Sequence, residues 1–198
     1  MEVLKLKIAA GVYKQSQSSY RSWWFVVQKK NGKLRIVHDL QPLNQITIRD
    51  AGMLPIVDDF VDSFAGSQCY TVFDLFWGFD ARKIHPKSQE LTAFMTPLGL
   101  LQLTSLPTGF TNSPAEFQKC MSIVLQEEIP NIANIFIDDL PIKGPESQYL
   151  DSEGKAETIK ENSGIRRFIW EHAQDVHQIT HKVKMAGATF AASKAQIC

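Results

Sequence analysis

The sequence predicts an α+β fold, and three observations carry that reading. Trp24-Phe25-Val26-Val27 and Leu34-Arg35-Ile36-Val37 are aromatic and β-branched runs on either side of Lys30-Asn31-Gly32, the composition of a β-hairpin. Apolar residues recur at helical spacing through 56–64, 113–128 and 166–186. Two further apolar runs, 69–73 and 132–137, lead directly into aspartate.

Taken in order, residues 2–10 read as a short helix ended by Gly11, and 14–19 as a polar loop before the hairpin. Pro55 opens a helix that places Ile56, Val57, Phe60, Val61 and Phe64 on one face, with Gly66 beyond its end. Cys69 to Phe73 reads as a buried strand ending at Asp74. Strands over 91–95 and 100–104 flank the turn composition Thr96-Pro97-Leu98-Gly99. Ser113-Pro114-Ala115-Glu116 has the pattern of an N-cap, a proline at N1 and a carboxylate at N3, starting a helix with Phe117, Met121, Val124 and Leu125 on one face. The run 132–137, the pair Asp138-Asp139 and Leu140-Pro141-Ile142 predict a hairpin whose tip or edge carries both acids. Residues 143–164 are polar and aperiodic, an insertion or lid. Helical spacing returns through Phe168, Ile169, Ala173, Val176, Ile179 and Val183, and 188–190 begins another strand.

A chain of 198 residues suits one domain or two closely joined subdomains. The formal net charge is zero, yet residues 1–49 hold nine Lys/Arg against two Asp/Glu, and the rest hold 12 against 19. A basic start and an acidic body fit a protein that holds phosphates with one part and cations with another, or simply a solvated basic face. No apolar run reaches membrane-spanning length and no signal peptide opens the chain, which predicts an intracellular protein. Cys69, Cys120 and Cys198 are odd in number and lack CxxC spacing, so they read as reduced thiols.

Acids at the end of an apolar strand are costly unless something compensates them. Neighbouring strand residues point to opposite faces, so Asp138 and Asp139 cannot serve one ion in the same way. Asp74 closes a separate strand, and two strands side by side would bring it beside one of the pair. Carboxylate oxygens together with substrate phosphates suit Mg²⁺. The plain alternative is that each acid is a strand-end or turn residue.

Around these acids the sequence resembles the reverse transcriptases of gypsy-type LTR retrotransposons, over nearly the whole chain and in the family's order. Residues 24–35 look like the fingers hairpin, and His38-Asp39-Leu40-Gln41-Pro42-Leu43-Asn44 like the motif that follows it. Phe73-Asp74-Leu75-Phe76-Trp77-Gly78-Phe79 is similar to the first palm motif. Leu106-Pro107-Thr108-Gly109-Phe110 through Gln118 is similar to the nucleotide- and template-side motif. Phe136-Ile137-Asp138-Asp139 stands where the family has Tyr-x-Asp-Asp.

The resemblance implies right-hand polymerase fingers and palm, with an antiparallel palm sheet packed on helices. The fingers would be approximately 1–48 and 82–112, and the palm approximately 49–81 and 113–198 with the insertion at 143–164. It implies an RNA-directed DNA polymerase that adds dNTPs to a primer on an RNA or DNA template, in the cytoplasm or a retroelement particle. It further implies two Mg²⁺ ions, with Mn²⁺ as a substitute, held by Asp74 and Asp138 with Asp139 assisting. Lys29 and Arg35 would grip the triphosphate, with Thr108 and Gly109 beside the incoming nucleotide. Phe79 would be a steric gate against a 2′-hydroxyl, or an ordinary core ring. Phe136, Ile137, Pro114 and Gln118 would face template and primer, Gln118 being alternatively a plain polar helix residue.

Departures from the pattern are Phe136 for tyrosine, Gln41 for arginine, Thr108 for a larger residue and the long 143–164 segment. The sequence carries no counterpart of a thumb, an RNase H or the other parts of a retroelement polyprotein. Two other readings follow from that: a catalytically incompetent remnant that at most binds nucleic acid, and a metal-dependent nuclease sharing the acids by convergence. The Ser113–Gln118 helix start counts against a nuclease. His172, His177 and His181 at helical spacing read as ordinary helix residues rather than a metal site. Trp23 and Trp24 read as strand packing, and Trp77 as a ring for stacking on bases.

Overall fold

Periods of two and of three to four apolar residues alternate along the chain, and the computed structural model turns them into strands and helices in that order. It describes all residues except Lys30, Asn31, Lys33, Met53, Leu54, Trp77 and Cys198, and omits the side chain of Phe76. The Asn31 half of the hairpin turn, Trp77 stacking and the third thiol therefore lie outside the described residues.

The elements are α1 (Glu2–Ala9), β1 (Tyr13–Gln15), β2 (Trp24–Gln28), β3 (Leu34–His38), α2 (Gln41–Ile46), α3 (Val57–Asp62), β4 (Tyr70–Phe76) and α4 (Gly78–Ala81). They continue with α5 (Pro86–Gln89), β5 (Phe94–Thr96), β6 (Gly99–Leu103), α6 (Ser113–Val124), β7 (Asp139–Lys143), β8 (Thr158–Ile159) and β9 (Asn162–Arg166). The last are α7 (Arg167–Met185), β10 (Thr189–Phe190) and β11 (Gln196–Ile197). The chain folds as two compact units, Met1–Ala51 with Phe79–Phe117, and Gly52–Gly78 with Gln118–Cys198.

In the first unit an antiparallel sheet runs β1-β6-β5. Its core gathers Leu4, Val12, Tyr13, Phe94, Leu101 and Leu103, with Trp24 and Ile36 packed against it from the β2–β3 hairpin. The loop expected at 14–19 thus begins as a strand, because Tyr13 is buried and pairs with Leu103 across the sheet. Trp24 packs as expected and donates its indole N–H to the Met95 carbonyl, but Trp23 stands 82% exposed and packs nothing. The stretch 91–95 also divides, into a 3-10 turn Glu90–Thr92 and β5.

In the second unit β4 is the central strand, with β7 on one side and β10 and β11 on the other. Thr71, Phe73 and Leu75 face the core, as do Leu140 and Ile142 of β7. Ile179 and Val183 of α7, Met121 of α6 and Leu125 just beyond it are buried as well. Period two then puts Val72 and Asp74 on the opposite face of β4, and Asp139 on that same face of β7. The strand expected to stop at Asp74 continues to Phe76, so this acid lies within a paired strand rather than at its end. His172 is buried and shares a hydrogen bond with Thr71 Oγ1, while His177 and His181 are exposed, so the three rings do not converge.

The 143–164 segment contains β8 and the first residues of β9. Its β8–β9 hairpin is tied to α7 through Arg167, which bonds Glu157 and Glu171 and stacks over the Tyr149 ring. It leaves β7 at Lys143, the end paired with Tyr70, whereas the acids lie at the Asp139 end paired with Asp74. Four strand steps separate them by roughly 13 Å, and no residue of 143–164 is among those lining the depression at Asp74 and Asp139.

Candidate active site

Phe136 and Asp139 exchange two backbone hydrogen bonds, of 3.0 and 3.1 Å, and close a two-residue turn with Ile137 and Asp138 at its centre. Ile137 takes a φ of 58°, a conformation that costs a β-branched residue on the order of 1–3 kcal/mol. Gln118 of α6 holds it there. Its Nε2 donates to the Ile135 carbonyl at 2.7 Å and its Oε1 accepts the Ile137 N–H at 2.8 Å. Gln118 is buried with both ends of its amide engaged, so the template contact expected of it is corrected to a support for the aspartate hairpin. Phe136 turns its ring toward Phe60, with centroids 5.5 Å apart.

The β4–β7 ladder pairs Asp74 directly with Asp139, and the Leu75 N–H donates to the Asp138 carbonyl at 2.8 Å. All three acids therefore gather where the hairpin meets β4. Burial pushes the Asp139 carboxyl above its usual range, and the charges of Asp138 and Asp74 push the same way while Lys194 opposes them. Between β10 and β11 the chain leaves the sheet, five residues (191–195) standing against two on β4 (73 and 74). That excursion places Lys194 Nζ 2.5 Å from Asp74 Oδ2, and the bond raises the lysine's affinity for its proton. Asp74, Asp139 and Lys194 line an open depression of about 410 Å³ together with Val72, Ser193 and Gln196.

Carboxylate oxygens are the donors that a hard divalent cation takes, and a positive group already rests on Asp74. The residues therefore fit such an ion. Among the described residues no group of three His, Cys, Asp or Glu side chains is placed to hold a metal ion by itself. Ions of this kind are commonly completed by water and substrate phosphates.

The remaining expected site residues belong to the first unit. Lys29 and Arg35 are exposed on the two limbs of the β2–β3 hairpin, Arg35 paired with Val27 in register. Phe79 is the second residue of α4 and packs its half-buried ring on Phe117, with centroids 5.2 Å apart. Thr108 and Gly109 sit on an exposed loop, and Gly109 has a φ of 96° that favours glycine. Pro114 lies in the first turn of α6, but Ser113 does not cap it. The Ser113 hydroxyl donates to the Pro107 carbonyl, the Glu116 N–H reaches the Asn112 carbonyl, and the Glu116 carboxylate pairs with Arg82.

Two supports for this loop escaped the sequence reading. Asn44 donates to the Gly109 carbonyl and accepts the Thr111 N–H, while Asn112 donates to the Ile48 carbonyl and accepts the Asp50 N–H. Asn44 closes a quoted motif, which was the available signal. Asn112 lies within the motif at 106–118, which was its signal, and nothing in the sequence marked Lys194.

The profile of the reverse transcriptase (RNA-dependent DNA polymerase) family matches residues 27–198. The chain belongs to the reverse transcriptase family. Among its relatives is the retrovirus-related Pol polyprotein from transposon 297 of Drosophila melanogaster, 34% identical over 137 residues that make up 67% of this chain and 13% of that protein. The Pol polyprotein from transposon gypsy of the same fly is 29% identical over 70% of this chain and 14% of its own length. The Tf2-3 polyprotein of Schizosaccharomyces pombe is 26% identical over 72% and 11%. Prototype foamy virus protease-reverse transcriptase superposes with a TM-score of 0.79 at 26% identity, over 98% of this chain and 23% of that one. The fold is thus that of reverse transcriptase fingers and palm. The chain spans only 13–14% of the first curated relatives' length. Enzymes of this family generally use divalent metal ions. Among the described residues no helix is long and apolar enough to cross a membrane.

Proposed function

We propose that this chain is the nucleotide-adding part of a retrotransposon reverse transcriptase, joining dNTPs to a primer 3′-hydroxyl on an RNA or DNA template. The observation that carries the reading is the β4–β7 pair, which sets Asp74 opposite Asp139 with Asp138 on the adjoining turn. Asp74 and the Asp138-Asp139 pair hold the cations, Asp138 as the principal partner of Asp74 and Asp139 assisting near the primer end. Two bound Mg²⁺ ions would lower the pKa of the attacking hydroxyl and neutralise charge on the leaving pyrophosphate. Gln118 keeps the hairpin in its strained turn, so the acids meet the substrate without rearranging.

Lys29 and Arg35 bind the triphosphate, Arg35 through the planar fork of its guanidinium and Lys29 as a mobile point charge. Phe79 limits space at the sugar, while Thr108 and Gly109 face the incoming nucleotide. Phe136, Ile137 and Pro114 face the nucleic acid. Foamy viral protease-reverse transcriptase has been captured with double-stranded DNA and with an RNA/DNA hybrid, which supports a template–primer as the partner here.

Primer extension on poly(rA)/oligo(dT) with Mg²⁺ tests the reading, with Asp138→Asn as the control. Extension by the chain and none by the variant is expected. A folded chain that extends no primer would refute the proposal, and extension that survives the substitution would refute the site.

A further inference from the structure

Lys194 reaches Asp74 from a backbone fixed to the same strand. The Ala191 N–H donates to the Asp74 carbonyl at 2.9 Å, and the 3-10 turn Ala192–Lys194 then brings the ammonium to the carboxylate. The two side chains differ in freedom. That of Asp74 is 19% exposed on a paired strand, and that of Lys194 is 63% exposed. The ammonium can therefore leave into solvent without opening the core, while the carboxylate stays where it is. An oxygen held by an ammonium is closed to a second cation on the same side.

We propose that Lys194 is a resident counter-ion that occupies the divalent-cation seat on Asp74 and yields it when an ion binds. The inference rests on the reading of Asp74, Asp138 and Asp139 as metal-binding carboxylates. Ionised acids crowded at one hairpin repel each other, and the fold before metal loading needs a positive charge among them. Lys194 supplies that charge from the chain itself. An exposed lysine–carboxylate pair shifts an equilibrium by only about two- to fivefold, enough to oppose the repulsion and weak enough for a divalent ion to displace.

Mn²⁺ binding to the full chain, followed by the electron paramagnetic resonance of free Mn²⁺, tests this on the wild type, Lys194→Gln, Lys194→Arg and Asp138→Asn. Lys194→Gln should bind Mn²⁺ about two- to fivefold more tightly. Lys194→Arg, whose fork holds a carboxylate with two bonds, should bind it more weakly than wild type. Thermal melts add a sign that an ordinary surface pair would not give: Lys194→Gln should melt below wild type in EDTA and together with it at saturating Mn²⁺. Unchanged or weaker Mn²⁺ affinity in Lys194→Gln overturns the proposal, as does a melting gap that saturating Mn²⁺ leaves intact. Mn²⁺ binding that Asp138→Asn leaves unaltered overturns the metal reading and this inference with it. Binding that needs Asp138 but ignores both Lys194 variants overturns the inference alone.

Discussion

The β2–β3 and β4–β7 pairs have ladders of the same length, five residue pairs each, and opposite surroundings. Phe25, Val26, Val27 and Leu34 of the first pair are all exposed, whereas Phe73, Leu75, Leu140 and Ile142 of the second are buried. Backbone pairing alone therefore does not distinguish them. What differs is the layer behind: β4 has a strand on either side and buried helix residues beneath it, while β2–β3 is a two-stranded ribbon fastened mainly through Trp24 and Ile36. The chemistry proposed for each matches its setting. Carboxylates that share cations need fixed separations, and the buried pair fixes them. Cations that close on a triphosphate need reach, and the exposed ribbon offers it.

The sharpest way to break this comparison is at the acids. Asp74→Asn, Asp138→Asn and Asp139→Asn remove charge without removing volume, and each should lower primer extension by at least about 100-fold while the chain stays folded. Asp138→Asn should be the more severe of the hairpin pair. The ladder sets Asp139 opposite Asp74, so a larger loss in Asp139→Asn would reverse the assigned order. Circular dichroism alongside the extension assay separates lost chemistry from lost structure.

How much of this was legible in the sequence follows the range of the interactions. The β2–β3 hairpin, β4, α6 and α7 announce themselves because their periodicity is local, and the fingers-and-palm fold followed from motifs in order. The strand β1 did not, because Lys14 and Gln15 are exposed and only pairing with β6, almost 90 residues on, makes them a strand. Ser113 has the composition of a cap, yet its hydroxyl finds the Pro107 carbonyl instead. Gln118 was left open between a template contact and a plain polar helix residue, because the groups it actually holds, on Ile135 and Ile137, are backbone atoms that no side-chain pattern reveals. Lys194 was invisible for a different reason. Its place depends on a five-residue excursion between two strands of only two residues each.

Stability should divide along the same line. Ile142→Ala empties a fully buried position on β7 and should cost about 2–5 kcal/mol. Val26→Ala on the exposed ribbon should cost under roughly 0.5 kcal/mol. Urea titrations that gave equal losses would mean the ribbon is packed more firmly than its exposure indicates. The first unit has its own sensitive point in His38, whose imidazole is pushed down to about 4 by burial, with Lys7 adding to the effect and Asp80 opposing it. Its Nε2 shares a hydrogen bond with Tyr13 while Nδ1 is buried without a partner, so the ring is accommodated neutral. The unfolded chain takes up this proton near pH 6.5 and the folded chain near 4, so the stability from the neutral ring is complete above pH 6.5. It declines as pH falls toward 4, by up to about 3 kcal/mol. His38→Gln should flatten that slope in melts across pH 4–7.

The smallest expected effect is the most informative about the ribbon. Arg35 is an exposed residue on a two-stranded element, so Arg35→Ala should leave the unfolding midpoint unchanged. A guanidinium that grips a triphosphate contributes to binding before and during bond formation alike. Its removal should therefore raise KM for dNTPs about tenfold, with a much smaller change in kcat. Arg35→Lys keeps the charge but loses the fork and should fall between the two. Lys29, a point charge on the opposite limb, should respond differently: Lys29→Arg should be nearly silent and Lys29→Ala should raise KM less than Arg35→Ala does. Steady-state extension at varied dNTP separates these outcomes. An Arg35→Ala chain with unchanged KM would remove the nucleotide-gripping role from the ribbon and leave its exposure without the purpose assigned to it.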